Sequence, residues 1–576
     1  MQTKRFLGLN GTKLQIAIGF LAGMDFLLFG YDQGVTGGLL TLDSFVKYFP
    51  EINTLESYTE GWSSAAKSNQ STRQGITVAA YNLGCFAGSI PTIWIGNILG
   101  RRKAIFVGSF IMCIGAILQC TSYGLAQLVV GRLVTGFGKH YCLAPNSHSL
   151  TRNTGNGINT STVPTWQSEC CKSHRRGQMV MMEGAMITCG ITISYWIDFG
   201  LMFADPNEVA WRFPLAFQIF FAAIILGFVM FLPESPRWLI LKGREEEAKE
   251  VLACLMGDET DELFIETEFT AIKATVLEMA TGSFRDMFTM TEDRHLHRTM
   301  LAYVNQMFQQ ISGINLITYY IPTLLEQQVG LDATTSRLIA ACNGTEYFIA
   351  SWIAVFTVEK FGRRTLMLFG AVGMSISMVV LAISDNISAS NKGNSTGVKA
   401  GIAQTVFLFV FNTFFAIGWL GMTWLYPAEI VPLKIRAPAN ALSTSSNWIW
   451  NFMVVMITPV AFESIGYKTY VIFAVINAAI VPVVYFFFPE TTARSLEEMD
   501  RIFRKTTSVF NVVSLARSEP HMYGSNGELL RTLDDVEDDA VRRASLLNKQ
   551  NKGQRLTHTE HAEKDSDGNT SEERQY

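Results

Sequence analysis

The chain has 576 residues, 48% hydrophobic and only 17% charged, with 40 Phe and nine Cys. That is too apolar for a soluble globular protein of this length. The net charge of −4 says nothing about partners, and none of the Cys stands at metal-ligand spacing, so they read as small packing residues inside or beside spans.

In chain order, twelve apolar blocks are each long enough to cross a ~30 Å hydrocarbon core. They are Leu14–Gly34, Gly75–Trp94, Ala104–Tyr123, a broken block starting at Leu128, Met179–Phe199, Phe213–Leu232, Leu301–Ile321, Leu338–Val358, Leu366–Ile383, Ile402–Leu425, Leu442–Val460 and Tyr470–Phe488. Lipid offers no partner to backbone groups, so each must be a helix. The first block is too long for a cleavable leader and lacks a small-residue cleavage site, so it is expected to stay as span one.

Span one carries Asp32 in MDFLLFGYDQGVTGG, and span four carries Arg132 in LAQLVVGRLVTGFG. A charge at the bilayer centre costs roughly 3 kcal/mol or more and is retained where it faces the bundle interior and finds a partner. A carboxylate and a guanidinium in two early spans suit proton coupling, because a proton arriving at Asp32 breaks the pair and resets the protein's shape. The competing reading is a static buried ion pair, a poor stabiliser for its desolvation.

Span four is abnormal. After GRLVTGFG comes Lys139–Gly155, KHYCLAPNSHSLTRNTG, with two His, an Arg and a Pro and no apolar period. The 37 steps from Arg132 to Glu169 would make about 55 Å of helix, nearly twice a bilayer core. Without these seventeen residues, GRLVTGFGNGINTSTVPTWQSE reads as one normal span. Gly138-Lys139, Leu150-Thr151 and Asn153–Gly155 can be encoded by splice-donor, branch-point and acceptor patterns in that order, so the segment reads as a translated intron; the alternative is a loop bulging from the membrane end.

Lys and Arg gather in the loops after spans two (Arg101, Arg102, Lys103), four (Lys172, Arg175, Arg176), eight (Lys360, Arg363, Arg364) and ten (Lys434, Arg436). The positive-inside rule places those loops and both termini in the cytosol. The sequons at Asn69, Asn386 and Asn394 then fall outside, as candidate glycosylation sites.

The six-span halves echo each other. Gly100-Arg101-Arg102 returns as Gly362-Arg363-Arg364, Glu169 with Arg176 as Glu429 with Arg436, and Pro233-Glu234 as Pro489-Glu490. Parallel repeats place a substrate at the midplane between halves that rock against each other. The acidic members, with Glu359, have no role as positive-inside anchors, so the clusters are expected to be salt-bridge gates. The chain thus divides into a cytosolic N-terminus (1–13), an N-terminal half (14–237, with 139–155 inserted), a cytosolic helical linker (238–298), a C-terminal half (299–503) and a polar tail (504–576) expected to be disordered.

The motifs FGYDQGVTGG, NILGRRK, TSTVPTWQSE, PESPRWL (Pro233–Leu239), QQISGINLITYY (Gln309–Tyr320), VEKFGRR, WLYPAEIVPLKIR (Trp424–Arg436) and PETTARSLEEMDRIF follow one another from residue 28 to 503. Together they resemble the sugar porter family of the major facilitator superfamily, and SECC, YWIDFG and GYDQGV are similar to its fungal sugar and polyol group, which includes glycerol/proton symporters. The resemblance implies an all-α membrane protein of twelve spans in two pseudo-symmetric halves. It implies that Asp32 is the proton-coupling carboxylate and Arg132 its partner. Gln309, Gln310 and Asn315 of span seven would hold the hydroxyls of a sugar or polyol, with Asn447 as a polar partner and Trp424 as an aromatic platform. Amides both donate and accept, as hydroxyls do. The gate residues are Arg101, Arg102, Glu169, Arg176, Glu234, Arg237, Glu359, Arg363, Arg364, Glu429 and Arg436.

Two departures stand out. Gly184, preceded by Glu183, occupies the place where many sugar porters have a Gln, so Glu183 is a candidate substrate contact and hexose specificity is in doubt. Asn97 replaces the acidic residue before the first GRR. The reading is a proton-coupled sugar or polyol symporter, monomeric, in the plasma membrane, with no cofactor, metal or nucleic-acid partner. The alternatives are a facilitated-diffusion hexose transporter and a transport-inactive nutrient sensor. An enzyme is not expected, since the chain has no nucleotide-binding Gly loop and only scattered His.

Overall fold

The computed structural model describes residues 6–90, 98–137, 156–170, 176–257, 262–280, 284–391 and 394–521. Asn97 and the inserted Lys139–Gly155 lie outside them. Within them the protein is helical, with no strand beyond one isolated bridge between Phe6 and Leu9.

The N-terminal half is built from α1 (Gly11–Leu39), α2 (Ser64–Ser89), α3 (Arg101–Cys120), α4 (Leu125–Phe137), α5 (Asn156–Cys170), α6 (Arg176–Met202) and α7 (Val209–Phe228). Three helices follow, α8 (Pro236–Leu241), α9 (Glu245–Met256) and α10 (Glu262–Ala280). The C-terminal half contains α11 (His295–Gln309), α12 (Asn315–Leu324), α13 (Ala333–Phe361), α14 (Arg363–Ser390), α15 (Ser395–Phe415), α16 (Met422–Ile430), α17 (Arg436–Ile465) and α18 (Lys468–Phe487). After it come α19 (Leu496–Lys505) and α20 (Val512–Ser518).

Among the described residues nine helical stretches are long and apolar enough to cross a membrane. The other spans depart from that pattern for visible reasons. Span two, α2, buries Gln70, Gln74 and Asn82 and is too polar. Span four is divided into the short α4 and α5, which end and begin on either side of residues 138–155. Span seven is α11 and α12 joined through a π-helical turn, Gln310–Ile314. A second π turn, Ala416–Leu420, joins α15 to α16 in span ten. The twelve rods form the major facilitator fold, with Phe110, Phe213, Phe220 and Phe356 exposed on its outer surface.

Small residues set the closest approaches. A Cβ on Gly30 of α1 would meet the Ile187 carbonyl of α6 at 1.8 Å, and one on Gly190 would meet the Leu27 carbonyl at 1.9 Å. The backbones of α1 and α6 therefore touch as only glycine permits. The halves meet through α2 against α17, α6 against α13 and α1 against α12.

The helices after span six pack under the N-terminal half, where the Gln15 amide donates to the Leu255 carbonyl at 2.8 Å. The tail needs a correction. Disorder was expected from residue 504 on, but residues 506–521 continue in ordered structure. Val512, Val513 and Ala516 are buried, and Arg494 donates to the Ala516 carbonyl at 2.5 Å. Those apolar side chains are too few to register in a composition dominated by the acidic run that follows, yet they suffice for one docked turn.

Candidate functional site

The two π turns create the centre of the C-terminal half. Gly313 has φ +101°, a left-handed value that suits glycine, and a Cβ there would meet Met378 at 2.7 Å. The break in span ten turns backbone carbonyls toward α11, and π turns are frequent at functional sites for this reason. Gln309 donates to the carbonyls of Trp419 (3.4 Å) and Leu420 (3.2 Å), and Gln306 to that of Thr423 (3.0 Å).

These anchored side chains form one relay of amides. Asn315 donates to Gln310 Oε1 at 2.5 Å, and Gln310 to Gln309 Oε1 at 2.9 Å. Asn447 of α17 donates to Gln309 Oε1 at 2.8 Å and to Gln306 Oε1 at 2.7 Å. All five are buried, and Asn447 Oδ1 has no partner. The structure thus brings Gln309, Gln310, Asn315 and Asn447 together and adds Gln306. Apart from Asn447 Oδ1 the amides bond to one another and to backbone carbonyls, a set of donors and acceptors that hydroxyl groups can replace one for one. Trp424 is half-buried with its edge on Phe26 of α1 at 5.8 Å, while Trp448 is fully buried between Phe29 (5.1 Å) and Tyr81 (6.0 Å) of the opposite half.

Glu183 stands apart. Both its carboxylate oxygens are buried without a hydrogen-bond partner, and its charged neighbour is Asp25 of α1. Asp32 and Arg132 are buried close to each other, but among the described residues no ion pair joins them. The Arg132 guanidinium donates instead to the Thr36 hydroxyl (2.5 Å) and the Val78 carbonyl (3.0 Å) and lies 5.9 Å from the Tyr81 ring centroid. Tyr81 is the hydrogen-bonding neighbour of the Asp32 carboxylate, whose Oδ2 has no partner. The hydroxyl of Thr36, one turn beyond Asp32 on the same helix face, competes for the guanidinium.

The charged repeats form two equivalent clusters. Arg101 makes a two-point contact with Glu169, both distances 3.1 Å, and the amides of Arg101 and Arg102 donate to Glu234. Arg363 holds Glu429 at 2.7 Å, and the amides of Arg363 and Arg364 donate to Glu490 at 2.8 and 3.1 Å. Burial pushes the Glu234 carboxyl up from its ordinary value, against the lowering bonds from the Ser235, Arg101 and Arg102 amides. Glu359 adds a 2.7 Å pair to Arg363, and a Cβ on Gly177 of α6 would lie 2.9 Å from its Oε1, so this cluster abuts the opposite half. Arg436 donates to the Val431 carbonyl, Arg237 is one of the charges near Glu169, and Arg176 opens α6.

The opposite ends of the halves are also in contact. Asn82 of α2 donates to Asn451 of α17 at 3.0 Å and accepts from the Tyr319 hydroxyl at 3.2 Å. Arg337 of α13 donates to Thr41 at 2.6 Å. Among the described residues the halves thus touch toward both ends.

The sequence reading passed over Gln306, Asn82, Thr36, Tyr81 and Asp25. Asp25 carried the same signal as Asp32, a carboxylate in an apolar block. Nothing local marks Gln306, whose role arises from the π turn opposite.

The "Sugar (and other) transporter" family model matches residues 18–149 and 153–503. The "MFS-type transporter oryC" of Aspergillus oryzae is 37% identical over 529 residues, covering 91% of this chain and 92% of that protein. The "Sugar transporter STL1" of Saccharomyces cerevisiae is 38% identical over 504 residues, 86% of this chain and 83% of that one. Among solved structures, the proton:xylose symporter XylE bound to 6-bromo-6-deoxy-D-glucose superposes with a TM-score of 0.69 at 23% identity, covering 86% of this chain and all of that one. Inward-open XylE from E. coli gives 0.63 at 22%, covering 85% of this chain and 99% of that one. The likeness to XylE shows the fold.

Proposed function

Because the chain belongs to the Sugar (and other) transporter family and is a multi-pass membrane protein of the major facilitator fold, we propose that it carries a sugar or polyol together with protons by alternating access. The observation that supports this most is the buried amide relay of the C-terminal half, together with a buried carboxylate of the N-terminal half that has an unpartnered oxygen. The proteins it resembles include one named as a sugar transporter and one named as a proton:xylose symporter.

In this proposal the hydroxyls of the substrate displace the contacts among Gln306, Gln309, Gln310, Asn315 and Asn447. The exchange of one bond for another is close to neutral in energy, so selectivity lies in matching the pattern of donors and acceptors. Trp424 covers the apolar face of the sugar. Asp32 takes the proton. With Asp32 neutral, Arg132 rests on Thr36 and Val78; with Asp32 ionised, it is drawn from Val78 of α2 to the carboxylate of α1. The move exchanges contacts between two helices of one half, and that exchange is what biases the halves. The Arg101–Glu169–Glu234 and Arg363–Glu429–Glu359 clusters, with Arg102, Arg176, Arg237, Arg364 and Arg436, hold the cytosolic ends closed. The protein acts as a monomer in the plasma membrane with both termini cytosolic, it is not an enzyme, and the solute is not changed chemically.

Uptake of a panel of sugars and polyols in a transporter-null yeast, with and without a protonophore, tests the proposal. Protonophore-sensitive accumulation of one panel member supports it. Equilibration without accumulation at any external pH contradicts it.

A further inference from the structure

We propose that Asp25 and Glu183 form a second proton-binding site, sharing one proton, at the contact between α1 and α6. Here α6 packs on α1 through methionine side chains. A Cβ on Gly19 would meet Met179 at 2.7 Å, and one on Gly23 would meet Met186 at 3.2 Å. Met179 and Met186 stand four residues before and three after Glu183, so Glu183 shares their α1-facing side of α6, and Asp25 of α1 is its electrostatic neighbour.

The site has more acceptors than donors. Glu183 is 2% exposed, and neither of its oxygens has a hydrogen-bond partner. Asp25 is 1% exposed, and its Oδ2 has none either. The donor within reach is the Asn159 amide of α5, which gives one bond to Asp25 Oδ1 at 2.7 Å and another to Ser109 at 3.0 Å, while Asn159 Oδ1 is itself without a partner. Two ionised carboxylates side by side in a low-dielectric interior repel each other, and each loses its hydration. One proton removes a charge and supplies a donor. The Asn159 bond favours charge on Asp25, so the proton resides on Glu183.

Among the described side chains no cation is bonded to the pair. Arg132 of α4 is bonded to Thr36 and Val78, Arg337 of α13 to Thr41, Arg212 of α7 to Glu208, and Lys249 of α9 to Glu266. Lys13 of α1 is exposed twelve residues before Asp25, about 18 Å away by helical rise. Asp32 is one heptad further along α1, about 10 Å away by helical rise, and Asp198 about four turns further along α6. Glu169 at the end of α5 is held by Arg101. Glu346 of α13 pairs with Thr413, and Glu429 of α16 with Arg363. Tyr319 and Tyr320 of α12 bond to Asn82 and Val455. This site is distinct from Asp32 in position.

The test is an infrared pH titration of the full chain in nanodiscs without substrate. A protonated buried carboxyl gives its own carbonyl stretching band, which the pair predicts in the wild type and in Asp32→Asn. Glu183→Gln is expected to lose the band. Asp25→Asn is expected to keep it but lose it at lower pH on titration, because Glu183 then ionises beside a neutral neighbour. This second variant decides the matter if Glu183→Gln does not fold. A band unchanged in Glu183→Gln, or a titration unchanged in Asp25→Asn, overturns the proposal. So does loss of the wild-type band when sodium is added at constant pH, which would make this a metal-cation site. The titration needs no transport, so its failure leaves the symport reading standing, and failure of the uptake panel leaves the titration interpretable.

Discussion

Asn82→Ala is expected to open the protein on the side of the Asn82–Asn451 contact. In the closed structure Asn82 bridges the halves, donating to Asn451 Oδ1 and accepting from the Tyr319 hydroxyl. Both Asn side chains and the tyrosine ring are fully buried. The alanine removes two bonds worth about 0.5–1.5 kcal/mol each and orphans the Asn451 carbonyl and the Tyr319 hydroxyl while the halves stay shut. Asn451 Nδ2 already has no partner, so this amide would then have none. In the open state water satisfies both groups. The closed state therefore loses about 2–4 kcal/mol relative to the open one, a shift of roughly 30-fold or more in population. Tyr319→Phe removes one bond and leaves no orphan on its own side, so its effect is about 1 kcal/mol, roughly fivefold. Spin labels at the exposed Ser64 and Glu463, on opposite halves, read the opening as a longer distance between them. Substrate affinity rises along with it, because the binding-competent state is no longer rare. A distance distribution identical to the wild type in Asn82→Ala, or a larger effect from Tyr319→Phe than from Asn82→Ala, would refute the reasoning.

Three further outcomes follow from the same geometry. Asn447→Ala removes the donor shared by Gln306 and Gln309, and substrate affinity is expected to fall about tenfold or more in a binding assay while the protein still reaches the membrane; unchanged affinity removes Asn447 from the site. Deletion of Lys139–Gly155 is expected to restore a normal span four and raise radiolabelled-sugar uptake above that of the full chain; equal uptake rejects that view of the insertion. Burial, with the charges of Arg294 and Arg298, lowers His297 from 6.5 to about 4, and its ring packs on Phe503 of α19 at 5.5 Å. The docked state thus binds fewer protons than the undocked one, so docking is fully stable above pH 6.5 and weakens as the pH falls toward about 4. Hydrogen exchange across α19 should rise over that window in the wild type and stay flat in His297→Leu.

Charge was the most legible signal in this chain. An Asp or Arg inside an apolar block is costly enough that its presence alone marks Asp32 and Arg132, and three repeated motifs were sufficient to foresee the Arg101 and Arg363 clusters. The partners of those charges were less visible. Arg132 bonds to Thr36 and Val78, and a hydroxyl or a carbonyl carries no signature in sequence. The same holds for the amide relay. Gln309 and Asn447 were legible through the resemblance, but Gln306 joins them through a backbone break in a different span, which no local period announces. Glu183 was expected beside the substrate because of its place next to Gly184. Its electrostatic neighbour Asp25 stands on another helix, a long-range relation that no local pattern announces. The ordered start of the tail was missed because three buried side chains weigh little against the polar run after them.

The coupling of solute to protons is tested most directly in proteoliposomes, by following the external pH when the accepted sugar or polyol is added with no gradient imposed. The account predicts that wild-type protein makes the outside more alkaline as the solute enters, and that Asp32→Asn still passes solute downhill with no pH change. Solute entry without proton movement in the wild type, or proton movement undiminished in Asp32→Asn, would contradict it.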